Sequence, residues 1–344
     1  MPCYHPMRAR QATPGAQPTI LKKTDLTSPW NIKLPCAKCW GCRLERSRQT
    51  AVRLMHEAQL HKKKCFITPT YDDEHLPIIG ETSSQSLTVS PSSRLGLPHR
   101  LDNAHTRKAH AHEDQTRVAT LQPRHLQLFT KRLTEDVRRK TGLQKNALRY
   151  YACGEYGDLT NRPHYHLAVF GEDFSDDRVE WKRSNGNQLW RSSRLTKLWS
   201  MGDIDIGELT FESAAYIARY LMKKVNGHKA HEHYKRTDEN GNDFWIEPEF
   251  CRMSRRPGIG NLWFQEYARD VFPQDYVIIN GKKSKPPRYY DKLLQALEPL
   301  EAEAIKLQRK EDAKLKEDDD SYIRRRAKEK VAIAASMQHK RNLE

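Results

Sequence analysis

The chain of 344 residues carries 60 lysines and arginines against 44 aspartates and glutamates, a formal net charge of +16 at pH 7. This length excludes a mini-protein and gives room for one large domain with appendages or for two modest ones. The positive charge indicates a polyanionic partner, most simply nucleic acid, although a charged surface also serves solubility alone.

The amino terminus, residues 1–5 (MPCYH), lacks the basic and then apolar layout of a secretory signal. No stretch of the sequence approaches the length of a transmembrane helix. We therefore expect an intracellular protein without a membrane partner.

Three of the seven cysteines lie in one short run, as Cys36, Cys39 and Cys42. In a reducing compartment this spacing indicates metal binding rather than disulfides. If the amino-terminal arm folds back, Cys3 completes a tetrahedral set of four thiolates for a structural Zn²⁺. The spacing leaves open two alternatives, an iron–sulfur cluster and thiols without a metal beside a helix start.

The first third of the chain predicts an extended arm, a helix and a strand. Residues 1–35 are rich in Pro, Thr and Gln with little periodicity, whereas 43–64 have the apolar spacing of a basic amphipathic helix. That helix is either simply solvated or follows a phosphate backbone. The strand predicted over 65–71 contains Pro69, which lacks an amide donor, so we expect a sheet edge or a bulge there.

Residues 78–121 have neither helical nor strand periodicity and include a Ser/Thr-rich stretch and several histidines. We expect a flexible, solvated insertion. Order resumes with a helix from Pro123 to about Gly142, and 148–156 then predict a strand that leads into a turn at 157–163.

The next segment, Pro163-His164-Tyr165-His166-Leu167, opens an apolar strand with two histidines two positions apart. Side chains alternate between the faces of a strand, so both imidazoles point the same way and can bind one divalent metal. The strand before the turn pairs antiparallel with this one because the connection is short, which brings Glu155 level with the histidines. The alternative is a pair of hydrogen-bonded surface histidines.

Further elements are a helix around 189–199, a strand over 203–209 and a helix over 214–225. In that last helix Tyr216 and Tyr220 share a face, and Lys223 or Lys224 comes next on it. A tyrosine oxygen attacks a phosphodiester when a metal polarises the phosphate and a cation stabilises the charge. The alternative is ordinary core packing of the two tyrosines.

Three ordered motifs carry a family resemblance: 66–71 (FITPTY), 163–167 (PHYHL) and 216–223 (YIARYLMK). They resemble those of HUH-type rolling-circle replication initiators. The cysteine block and 154–157 (GEYG) resemble most the initiators of gokushoviruses, a branch of the Microviridae. Pro69 and the insertion depart from the family pattern.

The resemblance implies an endonuclease and strand-transferase that nicks single-stranded DNA at a replication origin, in the cytoplasm of a bacterial host. His164 and His166, with Glu155 as third ligand, would bind Mg²⁺ or Mn²⁺. Tyr216 or Tyr220 would form a 5′-phosphotyrosine link and free a 3′-OH that primes a host DNA polymerase, with a host helicase as further partner. Lys223 would steady the phosphate or orient the nucleophile.

The fold that the resemblance implies is α+β, a central antiparallel sheet with helices on one face, plus the cysteine-containing arm and a charged helical tail. We divide the chain into an arm (1–42), an endonuclease core (43–227) with its insertion, an extension of the core (228–290) and a charged, helical or disordered tail (291–344). Two alternatives in function are an HUH transposase or relaxase and a non-catalytic zinc- and DNA-binding protein.

Overall fold

A computed structural model describes residues 3–13, 16–21, 29–79, 118–142, 146–158, 160–184, 186–225, 228–237, 241–315 and 320–340. Most of the predicted insertion, 78–121, lies outside the described residues. The elements are β1 (Met7–Arg10), β2 (Thr19–Ile20), β3 (Ile32–Leu34), α1 (Trp40–Gln59), β4 (Lys64–Pro69), α2 (Pro123–Lys140), β5 (Arg149–Tyr156), β6 (Pro163–Phe170), β7 (Arg178–Ser184), β8 (Asn187–Ser192), α3 (Ser193–Trp199), β9 (Ile204–Gly207), α4 (Phe211–Lys223), α5 (His228–His233), β10 (Lys235–Thr237), β11 (Asp243–Trp245), β12 (Phe250–Met253), α6 (Asn261–Val271), β13 (Val277–Ile279), β14 (Lys282–Ser284), α7 (Arg288–Leu297), α8 (Pro299–Lys314) and α9 (Tyr322–Lys340).

A seven-stranded antiparallel sheet forms the centre of the molecule, in the strand order β12-β5-β6-β4-β9-β8-β7. The prediction of a sheet edge or a bulge at Pro69 is wrong, because β4 is the middle strand and pairs with both β6 and β9. Pro69 is the last residue of β4, opposite Ile204, and the register with β6 continues unbroken to a bridge between Thr70 and His164. A proline at the end of a strand removes little of the hydrogen-bond ladder.

One face of the sheet is covered by α2 and α3. The apolar side chains of these helices are Leu126, Phe129, Leu133 and Val137 on α2, and Leu195 and Trp199 on α3. They pack in one buried cluster with Tyr165 and Leu167, which β6 directs to this side. Each fully buried side chain of this size stabilises the fold by about 2 kcal/mol.

The opposite face is covered by α1 and α4. Leu54 of α1 and Ile217 of α4 pack there with Ala168 and Phe170 of β6. The predicted α+β class with a central antiparallel sheet is confirmed. Helices cover both faces instead of one, because α2 and α3 also bury apolar side chains against the sheet.

A third buried cluster joins the carboxyl-terminal helices to α1. The imidazole of His56 stacks on Trp263 of α6 with ring centroids 3.6 Å apart, and its Nδ1 lies 2.7 Å from the hydroxyl of Tyr290 on α7. The cluster extends through Leu294 to Ile305 of α8. Packing therefore continues into the segment for which the sequence predicts a charged tail.

A buried ion pair links α1 to β5. The guanidinium Nε of Arg149 donates to Oε1 of Glu57, and both side chains are inaccessible to solvent. The backbone N–H of Gly260 donates to Oε2 of Glu57 at 2.6 Å, and Nη2 of Arg149 donates to the carbonyl of Pro257 at 3.0 Å. Buried charges need such partners, so the pair also fixes the loop before α6.

The amino-terminal arm is partly folded rather than wholly extended. Its strands form a small antiparallel sheet in the order β2-β1-β3, in which Ala9 is fully buried. The arm contacts α9 through His5, whose Nε2 lies 2.9 Å from a carboxylate oxygen of Glu329. Among the described helices, none is both long and apolar enough to cross a membrane.

Candidate metal and tyrosine site

The predicted metal-ligating residues lie at the turn end of the β5–β6 hairpin. The two strands pair with Glu155 directly opposite His164. The connection between them is closed by a hydrogen bond of 3.0 Å from the N–H of Gly157 to the carbonyl of Arg162. Directly opposed residues of an antiparallel pair share a face, so Glu155 lies on the same face as both histidines.

The three side chains converge on one point. Oε1 of Glu155 lies 2.9 Å from Nε2 of His164 and 2.9 Å from Nε2 of His166, and one ligand atom from each residue lies within 4.8 Å of the others. In an octahedral site with bonds of about 2.1 Å, neighbouring ligand atoms are about 3 Å apart. Two imidazole nitrogens and a carboxylate oxygen at this spacing fit a divalent metal ion with positions open to substrate.

Both histidine rings are also held through their second nitrogen. Nδ1 of His164 donates to the backbone carbonyl of Arg162 at 3.1 Å. Nδ1 of His166 lies 3.1 Å from Oγ1 of Thr68 on β4. Once a metal displaces the Nε2 proton that each ring shares with Glu155, a proton kept on Nδ1 would leave the Nε2 lone pair for the metal, and such outer contacts fix the tautomer and the orientation of a ligating histidine.

The tyrosine helix α4 is fixed at its start and along one side. The N–H of Ser213 donates to Oγ1 of Thr210 at 3.3 Å, and the N–H of Thr210 donates to Oγ of Ser213 at 2.8 Å. This reciprocal cap satisfies amides that the first turn leaves unpaired. Ala214 and Ile217 are buried against the sheet face that carries the histidines, so the neighbouring side of the helix lies over Glu155, His164 and His166.

Tyr216 and Tyr220 lie side by side over His166. Their ring centroids are 4.9 Å apart with the planes nearly perpendicular. Tyr220 stacks parallel on the imidazole of His166 at 5.3 Å, with its hydroxyl 3.5 Å from Nε2, and Tyr216 meets the same ring edge-on at 5.4 Å. Tyr216 is 42% exposed and Tyr220 only 3%, so Tyr216 is the more accessible of the two phenols.

The electrostatics of the site keep the carboxyl group of Glu155 ionised and the phenol of Tyr220 protonated. Burial alone would raise the pKa of Glu155, but hydrogen bonds from His164 and His166 outweigh it and hold that pKa well below its usual range. Burial, followed by the charge of Glu155 and the contact with Tyr216, raises the pKa of Tyr220 far above its ordinary value. The site therefore keeps Glu155 ionised and disfavours a phenolate at Tyr220 unless positive charge is added.

The predicted cation of the site, Lys223, is the last residue of α4. The structure describes its backbone, and its side chain lies outside the described part of the chain. Lys224 follows with φ −54° and ψ 120°, which ends the helix, and its carbonyl accepts a hydrogen bond of 3.3 Å from Nη2 of Arg43. The role of Lys223 stays a prediction.

The four cysteines of the predicted zinc site come together at the start of α1. The Sγ atoms of Cys36 and Cys42 are 4.0 Å apart, as are those of Cys3 and Cys39, and all four lie within 4.8 Å of one another. Four sulfurs around Zn²⁺ at 2.3 Å are about 3.8 Å apart. The N–H of Cys36 donates to Sγ of Cys3, and the N–H of Cys39 to Sγ of Cys36, both at 3.3 Å.

Comparison with known proteins places the chain in a family. A family model described as "Replication-associated protein ORF2/G2P" matches residues 105–225. Replication-associated protein VP4 of Bdellovibrio phage phiMH2K is 32% identical over 330 residues, which cover 93% of this chain and 87% of that protein. The chain belongs to this family of phage replication-associated proteins. The predicted resemblance is thereby confirmed.

Two further relatives of this replication-associated protein agree. Replication-associated protein ORF2 of Spiroplasma virus 4 is 30% identical over 77% of this chain and 68% of its own length. Replication-associated protein ORF4 of Chlamydia phage 1 is 26% identical over 78% of this chain and 55% of its own length. No solved structure is significantly similar to the chain.

The segment of the replication-associated protein that matches the family model contains the β5–β6 hairpin and α4, and thus the triad and both tyrosines. Thr68 lies before that segment, and sequence reasoning assigned it no part in the site. The available signal was that Thr68 and Phe66 are two positions apart in β4, so their side chains point to the same face of the strand. Its position beside His166 depends on the pairing of β4 with β6, which no local pattern specifies.

Proposed function

We propose that this phage replication-associated protein nicks and rejoins single-stranded DNA at the replication origin by tyrosine attack on a phosphodiester. The observation that carries the proposal is the stacking of Tyr220 on His166, because it puts two phenols of one helix against a Glu/His/His triad. The net charge of +16 and the family membership support DNA as the substrate.

The triad of Glu155, His164 and His166 would hold Mn²⁺ or Mg²⁺. Its two imidazole donors suit Mn²⁺ better, because Mg²⁺ favours oxygen ligands alone. A divalent cation bound there would supply the positive charge that polarises the scissile phosphate and favours an ionised phenol. The contacts of His164 with Arg162 and of His166 with Thr68 keep both Nε2 atoms aimed at that position.

In the first step the Oη of one tyrosine attacks phosphorus at the origin. A bond from phosphorus to the tyrosine oxygen forms and the bond to the 3′ oxygen breaks. The phenolic proton is lost, and the departing 3′ oxygen gains a proton. The products are a 5′-phosphotyrosine link and a 3′-OH that primes a host polymerase.

The two tyrosines differ in access, and this suggests their order of action. Tyr216 is exposed and makes the first attack on the DNA strand. Tyr220 is buried and attacks after a round of synthesis, when the circle is closed. Lys223, at the end of the same helix, would steady the phosphate or orient the nucleophile.

A nicking assay tests the proposal. The full-length protein is incubated with Mn²⁺ and the circular single-stranded genome of its phage, and cleavage and covalent adduct are quantified. We expect Tyr216→Phe to lower first-round cleavage by on the order of 10³-fold, and the double change with Tyr220→Phe to abolish the adduct. Tyr322→Phe, a change at an exposed tyrosine of α9, is the control. An unchanged adduct in the double variant would refute the mechanism.

The same assay separates the alternatives. A non-catalytic zinc- and DNA-binding protein would retard DNA in a gel without cutting it at any metal concentration. Membership in a replication-associated family favours replication over the transposase or relaxase alternative, which shares the chemistry but not the biology.

We also propose that Cys3, Cys36, Cys39 and Cys42 bind a structural Zn²⁺. The sulfur spacing and the amide donors to sulfur support this assignment. Cys39 is the N-cap of α1 and Cys42 lies in its first turn, so the metal would tie the arm to the helix that packs against α4.

A further inference from the structure

A basic recess lies between α1 and α7 and shares no residue with the triad or the two tyrosines. Its volume is about 390 Å³. Four cations line it, Arg46 and Arg53 from α1 and Arg288 and Lys292 from α7, and no carboxylate is among the described residues of the lining. Such a concentration of one charge in a concave space attracts anions.

Packing fixes Arg53 and the two helices that form the recess. Nε of Arg53 donates to the carbonyl of Ile259 at 2.9 Å, and its guanidinium lies 4.1 Å above the ring of Tyr289. Nη1 of Arg48 donates to Oγ of Ser284 at 2.7 Å, which fastens the strand before α7 to α1. The walls of the recess and the position of Arg53 are therefore fixed by the fold.

The positive charges of the recess are not neutralised by neighbouring acids. The nearby carboxylates are engaged elsewhere, since Glu45 pairs with Arg48 at 2.6 Å and Asp291 pairs with Arg309 at 2.8 Å. Within the described part of the chain, Arg46, Arg288 and Lys292 make no ion pair. Like charges around one cavity repel each other, so an anionic ligand would stabilise the arrangement.

A second cavity of about 440 Å³ continues the recess over α7 toward α8. It shares Arg288 and Lys292 with the first cavity and adds Lys306, Arg309 and one carboxylate, Asp291. Arg309 pairs with Asp291 and Asp275, and Lys306 pairs with Glu303. Together the two cavities form a basic groove lined by six cations and one carboxylate, and the cations that make no ion pair among the described residues line the first recess. A row of cations along a groove matches a row of phosphates, and each cavity has the size of a nucleotide-like ligand.

We propose that this basic groove binds the phosphate backbone of single-stranded DNA outside the site of cleavage. A flexible single strand enters a recess between helices, whereas a stiff duplex does not. α1 lines the groove on one side and packs against α4 through Leu54 on another, so the bound strand is held beside the helix that supports the tyrosines. The assignment rests on the proposed function in taking DNA as the substrate.

The salt dependence of DNA binding tests the groove. The parent is the full chain with Tyr216→Phe and Tyr220→Phe, which binds without cutting, and the probe is a fluorescent 30-nucleotide poly(dT). Adding Arg46→Ala and Lys292→Ala should reduce the slope of log affinity against log salt by about 1.4, or about 0.7 for each lost phosphate contact. The same loss corresponds to about 25-fold weaker binding at 0.1 M salt.

The matched control removes the same charge elsewhere. The control variant carries Lys131→Ala and Lys197→Ala, which lie on α2 and α3 on the other face of the sheet. It should leave the salt slope of DNA binding nearly unchanged. An unchanged slope in the groove variant, an equal loss in the control, or a loss confined to a 30-base-pair duplex would each overturn the proposal.

The outcome is independent of the nicking chemistry, because the tyrosines are absent from the binding assay. If the wild-type chain fails to nick but the groove variant shows a smaller salt slope, the groove proposal is supported and the nicking mechanism is refuted. If the wild-type chain nicks and the groove variant keeps the full salt slope, the nicking mechanism is supported and the groove proposal is refuted. With the tyrosines restored, the groove variant should need more DNA for half-maximal cleavage and keep its maximal rate.

Discussion

Thr68→Val tests whether the contact behind His166 prepares the triad for metal. Valine has nearly the shape of threonine but cannot bond to Nδ1 of His166, which lies 3.1 Å from Oγ1 in the structure. Without that partner the proton can shift to Nε2, the atom that faces Glu155 and that a metal needs unprotonated. The change should therefore weaken metal binding and leave the fold intact.

The size of the effect follows from the position of the contact. Removal of an outer partner of a ligating histidine costs about 10- to 100-fold in metal affinity, or about 1.4–2.7 kcal/mol. We expect the Kd for Mn²⁺ from calorimetry to rise by that factor and the nicking rate at low Mn²⁺ to fall with it. High Mn²⁺ should restore the rate, since the variant changes occupancy rather than the nucleophile.

Thr68→Ser is the matched variant, because it keeps the hydroxyl and loses the methyl group. It should bind Mn²⁺ within a few-fold of the wild type. Equal loss in the serine and valine variants would show that packing, not the hydrogen bond, matters at this position. An unchanged Mn²⁺ affinity in Thr68→Val would refute the reasoning outright.

Three further predictions concern stability and the cysteine site. Glu57→Gln leaves Arg149 buried without a counter-charge and should lower the free energy of unfolding in urea by about 3–5 kcal/mol. Glu45→Gln, at a partly exposed ion pair, should lower it by less than about 1 kcal/mol, and similar losses in the two variants would contradict the account. Burial lowers the pKa of His56 from 6.5 to about 4, so the unfolded chain binds the proton more tightly and stability falls as the pH drops through this window. Between pH 7 and pH 5 the free energy of unfolding of the wild type should fall by about 2 kcal/mol more than that of His56→Phe. Parallel pH profiles of the two proteins would exclude His56 as the source of the pH dependence. The purified protein should contain one zinc per chain by atomic absorption, and Cys39→Ser should lose the metal and lower the Tm; full zinc content in that variant would remove the cysteine cluster as the ligand set.

Local patterns were enough to group the candidate site residues of this chain on common faces. The two-residue period of β6 puts His164 and His166 on one face, and the short turn before it brings Glu155 level with them in the hairpin. The helical period puts Tyr216 and Tyr220 together. In each case a fixed repeat and a short connection leave few geometric choices.

Only the tertiary structure decided which elements meet. That α4 packs on the histidine face of the sheet, that Thr68 stands behind His166, and that Pro69 ends the middle strand all depend on strand pairing and burial between distant segments. The groove between α1 and α7 joins residues more than 200 positions apart, which no periodicity can relate. Sequence repeats specify the face of an element, whereas the partner of that face is chosen by burial of apolar surface over the whole chain.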